Sequence, residues 1–348
     1  MTDKKFITAG EIMLRLTPPN YDKLRVATSF EASYGGSEAN IALALANLGI
    51  DSSFFSVVPD NSLGKGAIRM LRSNDVHCSP VILSTPEETP THRLGTYYLE
   101  TGYGIRPSKV TYDRKHSAFT EYDYSRVNLD ALLEGFKWLH MSGITPALSD
   151  SCAEFTIEIM RKAKEKNLTV SFDGNFRSTL WTWNEARDFC TKCLPYVDVL
   201  LGIEPYNLPN SDGSGDVKDG IPLQPDYDQQ SRVFDEFVRA YPNIKCIARH
   251  VRYAHTGSEN SLKAYMWYDG KTYESKLFTF TILDRVGGGD AFASGLIYAM
   301  MKEYNPDDMI NFAVASSVIK HTIRGDGNIT DDVKSIKSIM NMNYDIKR

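Results

Sequence analysis

Residues 284–292 read Asp-Arg-Val-Gly-Gly-Gly-Asp-Ala-Phe. Gly287, Gly288 and Gly289 carry no Cβ, so their backbone N–H groups can approach an anion closely. A helical run over residues 291–300 follows, and a helix N-terminus adds partial positive charge. Such a place suits oxygens that become more negative during phosphoryl transfer. Asp290 sits in the first turn, where a carboxylate can accept a proton from a hydroxyl within hydrogen-bond reach. Taken alone, the segment reads equally as a glycine-rich turn with an aspartate at a helix start.

Other chemical signals carry less. Gly64-Lys65-Gly66 is no phosphate-binding P-loop, because residue 59 is not glycine and no Ser or Thr follows Lys65. Gly102-Tyr103-Gly104 lacks a third glycine and a following helix, and reads as a hairpin turn. Trp181-Thr182-Trp183 reads as packing at a helix start. The five cysteines include one CxxC, Cys190 and Cys193, with no second pair at zinc spacing. Reduced, structural thiols are the reading. The seven histidines form no close pair at metal spacing, and His321 reads as a packed or capping side chain. A net charge of -5 gives no basic field for nucleic acid. No apolar run reaches the roughly 18 residues of a membrane helix. Residues 1–5 lead into a strand-like run without a signal core. The cytoplasm is the expected compartment.

The elements that must position these groups alternate. The 348 residues predict one α/β domain with an appendage, and 42% hydrophobic content is enough for a sizeable core. Strands are expected at 6–16 (with a polar tip at Glu11), 53–58, 138–141, 168–172 and 197–201. Helices are expected after Gly35-Gly36 and at 63–72, 149–166, 184–194, 288–303 and 307–323. Strands alternating with helices imply a mainly parallel sheet covered on both faces. Residues 205–230 read as a surface loop that buries little. Asp269-Gly270 marks a hairpin between 264–268 and 273–280. The alternation fails at 14–34, where 24–32 reads as extended, and at 92–114. These two stretches predict a small β-sheet lid over a core of 1–13, 35–91 and 115–348. Ligands of open α/β sheets bind at the strand carboxyl ends, where such a lid would close. Exposed lid edges also predict a dimer through the lids.

Residues 284–292 resemble the second motif of PfkB (ribokinase-like) carbohydrate kinases, D-T-x-G-A-G-D-x-F. Tyr34-Gly35-Gly36-Ser37-Glu38-Ala39-Asn40-Ile41-Ala42 resembles the first, G-G-x-x-x-N-x-A. The resemblance implies a ribokinase-like, Rossmann-type core with a β-sheet lid, ATP as donor and Mg²⁺ on its phosphates. It makes Asp290 the base and Gly287, Gly288 and Gly289 the anion hole. Phe172-Asp173-Gly174-Asn175-Phe176-Arg177, residues 112–118 (Tyr-Asp-Arg-Lys-His-Ser-Ala) and the helix at 315–322 look like those of 2-keto-3-deoxygluconate kinases. This implies phosphorylation of that sugar acid at its primary hydroxyl, giving the 6-phosphate. Around the acid the resemblance places Gly35, Gly36, Asn40, Tyr97, Tyr112, Arg114, Asp173 and Arg177. Arginine binds carboxylate bidentately, so Arg114 and Arg177 are expected to clamp it. A salt bridge elsewhere is the alternative for either. Three departures stand out. Gly288 replaces the usual alanine. Glu204 remains, as a metal-side carboxylate, from an N-x-x-E. Residues 247–252 (Ile-Ala-Arg-His-Val-Arg) replace T-x-G-x-x-G, so Arg249 or Arg252 meets phosphate or is a solvated charge. The competing readings are a kinase of a neutral sugar, fructose or ribose, and a sugar or nucleotide binder that has lost catalysis.

Overall fold

In the computed structural model, which describes residues 5–210, 212–329, 332–343 and 345, nine strands share one sheet. Its order is β14 (Lys271–Glu274), β13 (Glu259–Tyr268), β12 (Cys246–Ala254), β11 (Val199–Leu201), β10 (Thr169–Asp173), β9 (Trp138–Ser142), β1 (Phe6–Ala9) and β4 (Ser52–Phe55). The ninth strand, β15 (Phe278–Thr281), also pairs with β13. Every pairing from β4 to β12 is parallel, and β12, β13 and β14 continue antiparallel.

Side-chain alternation builds a core on each face. In β11, Leu200 joins one core while Val199 and Leu201 join the other. The first core is closed by α5 (Asp150–Glu165), α6 (Trp183–Cys193) and α7 (Tyr227–Ala240), through Phe155, Cys190 and Phe234. The second is closed by α1 (Ser37–Asn47), α8 (Gly288–Met301), α9 (Pro306–Lys320) and α10 (Val333–Met340), through Leu45, Leu296, Phe312 and Ile336. Phe172 of β10 is fully buried; truncating such a side chain to alanine costs about 3–5 kcal/mol. A third cluster packs α2 (Ser62–Arg72) near β5 (Val57–Pro59), which pairs with β6 (Ile82–Ser84). The one-turn helices α3 (Ala118–Glu121) and α4 (Leu129–Leu132) lie before β9.

Four strands form a separate sheet, in the order β3 (Glu31–Gly35), β2 (Met13–Thr17), β7 (Thr96–Glu100) and β8 (Lys109–Asp113). The expected single strand at 6–16 is therefore two. β1 belongs to the large sheet and β2 to the small one, and the chain breaks between them at residues 10–12. The Gly10-Glu11 pair at the break reads equally as a polar tip within one strand, so it does not reveal such a change of sheet. Residues 24–26 are a 3₁₀ turn, with the strand only at 31–35. The strand expected at 53–58 is likewise split, into β4 and β5. Within 205–230, Tyr206 and Leu208 are buried and α7 begins at Tyr227. The hairpin at Asp269-Gly270 is present, both residues having positive φ of 48° and 78°. Among the described residues, no helix is long and apolar enough to cross a membrane.

Candidate active site

Two helix N-termini without side-chain caps meet below the small sheet. α8 starts from Gly287, whose φ of 83° is left-handed and whose missing Cβ would lie 1.9 Å from the Asp326 carbonyl oxygen. No other residue fits there without moving the backbone. The N–H groups of the first turn have no intrahelical acceptor, and no capping side chain satisfies them. α1 starts after Gly36 in the same way and presents Ser37 and Asn40. Ser37 Oγ and Asn40 Nδ2 each donate to one oxygen of the Asp290 carboxylate, both at 2.7 Å. The two sequence motifs, 250 residues apart, are thus joined by direct hydrogen bonds.

These groups line a cavity of about 710 Å³. Among the expected residues, Asp290, Gly287, Gly288, Gly289, Gly36, Asn40, Tyr97, Tyr112, Arg114, Asp173, Arg177 and Glu204 all line it. Gly35 stands behind the wall, where an added Cβ would strike the Asp326 carboxylate at 2.2 Å. The three glycines differ. Gly287 is fixed by backbone conformation, Gly288 lies against the His321 ring, and a Cβ at Gly289 would meet nothing closer than 3.9 Å. His321 fills the space that the usual alanine methyl at position 288 would occupy. It is a packed histidine, with Nδ1 2.6 Å from the Ser317 carbonyl oxygen.

Burial pushes the Asp290 carboxyl above the ordinary aspartate range, against the Asn40 and Ser37 hydrogen bonds and the Arg177 charge. Burial raises Asp173 to about 7, and the negative charges of Asp290 and Glu38 add to the effect. Glu38 is also raised by burial, although Ser142 and Thr145 donate to it. Asn175 bridges the groups, with its N–H on Asp173 Oδ1 at 2.9 Å and its Nδ2 on Ser37 Oγ at 3.0 Å.

The two arginines are not equivalent. Arg114 is buried, and its Nε and Nη2 both donate to Glu11 Oε2, the first at 2.7 Å. Its guanidinium also lies 5.6 Å from the centroid of the Tyr112 ring, which neighbours Tyr97. Arg177 is exposed, on the loop after β10, with one hydrogen bond to the Phe176 carbonyl oxygen. A clamp of two free guanidinium forks is therefore not what the chain presents: Arg114 is ion-paired with Glu11, and of the two Arg177 is the available cation.

Several lining residues escaped the sequence reading. Asp326 accepts from Tyr97 Oη, and its other oxygen lies 2.5 Å from Arg15 Nη1. Arg15 Nη2 also lies 2.5 Å from Asp284 Oδ2. Asp284 in turn receives the Val286 and Gly325 N–H groups, so a strand of the small sheet is tied to the glycine loop. The only sequence signal for Asp326 is an acid between Gly325 and Gly327, which a turn explains equally well. Glu11 reads in the sequence only as a polar strand tip. Glu204 Oε2 is buried without a hydrogen-bond partner, and the Lys218 ammonium stands 3.9 Å away.

The arrangement holds a proton acceptor, an anion-binding helix start and a cation in one cavity at the strand ends, which is the chemistry of a phosphotransferase. Residues 3–204 match the pfkB family carbohydrate kinase model. The chain is 31% identical to 2-dehydro-3-deoxygalactonokinase of Haloferax volcanii, over 92% of each chain. It is 26% identical to 2-dehydro-3-deoxygluconokinase of Bacillus subtilis, over 92% of this chain and 90% of that one. The crystal structure of 2-dehydro-3-deoxygluconokinase from Thermotoga maritima superposes with a TM-score of 0.88 at 34% identity, covering 97% of this chain and 99% of that one. The chain belongs to the PfkB family of carbohydrate kinases.

Proposed function

We propose that the chain transfers the γ-phosphoryl group of ATP to the primary hydroxyl of 2-keto-3-deoxygluconate, giving the 6-phosphate. The carrying observation is that Asp290, the uncapped α8 start and the exposed Arg177 line one cavity. The similarity to the Haloferax enzyme favours a second acceptor, 2-keto-3-deoxygalactonate, which differs in the configuration of one hydroxyl.

The acid lies between the small sheet and the strand ends, its carboxylate toward Arg177 and its carbon chain along Tyr97 and Tyr112. Arg114 holds the Tyr112 side of the wall through Glu11. The donor phosphates lie at Gly287, Gly288 and Gly289, whose N–H groups stabilise the transferring oxygens. Asp290 takes the hydroxyl proton as that oxygen bonds to the γ-phosphorus and the bridging bond to ADP breaks. Ser37 and Asn40 hold the carboxylate in place for that transfer. Asp290 works in its ionised form, so kcat/KM falls as pH drops through its raised pKa.

When bound, Mg²⁺ neutralises charge on the donor phosphates. Glu204 Oε2, which has Lys218 at 3.9 Å but no hydrogen-bond partner, suits one ligand to it or to its waters. One or two carboxylates plus phosphate oxygens is an ordinary Mg²⁺ environment. The two free edges of the small sheet, β3 and β8, support a dimer through that sheet. The five buried, free cysteines suit a reducing cytoplasm.

The test is ADP release with Mg-ATP and 2-keto-3-deoxygluconate, 2-keto-3-deoxygalactonate, gluconate, fructose or ribose. Turnover confined to the two keto-deoxy acids is expected. Equal efficiency with fructose or ribose overturns the carboxylate assignment, and no ADP release with any acceptor favours a binding protein. Light scattering that finds only monomer overturns the dimer.

A further inference from the structure

The register of β12 separates Arg249 and Arg252, the two arginines that the sequence leaves ambiguous. Ile247 and Val251 join the core facing α7, while Cys246 and Ala248 join the core facing α8. Arg249 therefore points with Ile247, and it is used there. Its Nη1 donates to Gln230 Oε1 of α7 at 2.9 Å and its Nη2 to the Leu223 carbonyl oxygen at 3.2 Å. Arg252 falls on the opposite face, with His250, and lines the cavity beside the glycine run. Arg285, inside the Asp284–Asp290 segment, lines the same part.

Neither guanidinium has a carboxylate within ion-pair distance among the described residues. Arg285 has one long bond, 3.4 Å, to the Gly257 carbonyl oxygen. Two cations placed together repel, and among the described residues no carboxylate compensates them. Their field reaches the neighbours. Burial, then the charge of Arg252, then His321 and Arg249 push His250 down to about 4. Burial, together with Lys320, Arg285 and Arg252, does the same to His321, against its bond to Ser317. Both rings are thus neutral and leave the positive charge to the arginines. An anion that faces this pair also faces the free N–H groups of the α8 start.

We propose that Arg252 and Arg285 grip the terminal phosphates of the donor, from the side of the cavity opposite the sugar, while Arg249 is structural. This rests on the kinase reading of the same site and adds two donor-binding residues to it. Guanidinium forks match phosphate oxygens bidentately, and charge at these oxygens is what phosphoryl transfer must stabilise.

Titration calorimetry of wild type, Arg252→Met, Arg285→Met and Arg249→Met with inorganic pyrophosphate, and separately with Mg-ADP, tests it. Both cavity variants are expected to weaken pyrophosphate binding by roughly 10- to 100-fold each. Affinity for 2-keto-3-deoxygluconate stays at the wild-type value, as do all affinities of Arg249→Met. Arg252→Lys and Arg285→Lys keep the charge, lose the fork and are expected to fall between. Unchanged pyrophosphate and Mg-ADP affinity in both Met variants overturns the proposal, as does wild-type protein that binds neither probe. Weakened phosphate binding in a wild-type background that phosphorylates no sugar acid would sink the substrate reading and leave the phosphate grip standing.

Discussion

Gly288→Ala places a methyl group where His321 already is. The ideal Cβ falls 2.3 Å from His321 Cε1 and 2.8 Å from Nε2, against ordinary contacts that begin at 3.4 Å. The ring must retreat by about 1 Å. It is held on two sides, by its Nδ1 contact with Ser317 and by the Phe280 ring at 4.9 Å. Overpacking of this kind costs about 1–3 kcal/mol. Alanine returns up to about 1 kcal/mol as a better helix former, less at a first-turn position. The expected net loss is about 1–2 kcal/mol. Urea unfolding of wild type, Gly288→Ala, His321→Ala and the double variant measures it. In the double variant the methyl enters space the ring has left, so the two losses are expected to fall short of additive by about 1 kcal/mol or more. A Gly288→Ala protein as stable as wild type, or strictly additive losses, would refute the claim that His321 replaces the alanine of the family motif.

Asp290→Asn keeps the side-chain shape and removes the proton acceptor. kcat is expected to fall by about 10²- to 10⁴-fold with the sugar-acid affinity nearly unchanged, and near-normal turnover would reject Asp290 as base. Arg114→Met leaves the buried Glu11 carboxylate unpaired and is expected to cost about 3–5 kcal/mol in urea unfolding. Arg177→Met, at an exposed position, should change stability by no more than about 0.5 kcal/mol while raising KM for the acid; equal stability losses would show that the two arginines are alike after all. Asp173 is raised from 3.8 to about 7, so within that window the folded state keeps a proton that the unfolded state has lost. Its contribution to stability therefore declines as pH rises through the window. Asp173→Asn should gain stability relative to wild type between about pH 4 and about pH 8, and a difference that does not vary with pH would rule out the raised pKa.

Local signals in the chain were enough for much of the alternating core, the hairpin and the motif carrying Asp290. Thr182 with Glu185 forms the capping box that starts α6, inside a stretch read as a helix, whereas the box of Asp226 with Gln229 that starts α7 lies in the stretch read as a surface loop, where no helix was expected. Asp269-Gly270 has the positive φ values its hairpin demands. Such features depend on a few neighbouring residues, so their type and spacing reveal them. Pairing across the fold does not. Arg15 meets Asp284 and Asp326 across 269 and 311 residues. Arg114 meets Glu11 across 103. Nothing near these residues in the chain announces the partner, and an arginine engaged by a buried carboxylate reads the same in sequence as a free one. At the break between β1 and β2 the chain shows only Gly10-Glu11, which reads equally as the polar tip of one strand, and only the small sheet gives the second strand somewhere to pair. Residue types therefore determined what chemistry the chain can perform. Tertiary packing decided which charges remain free to perform it, because a charge is neutralised by whatever the fold brings within a few ångströms, irrespective of separation along the chain.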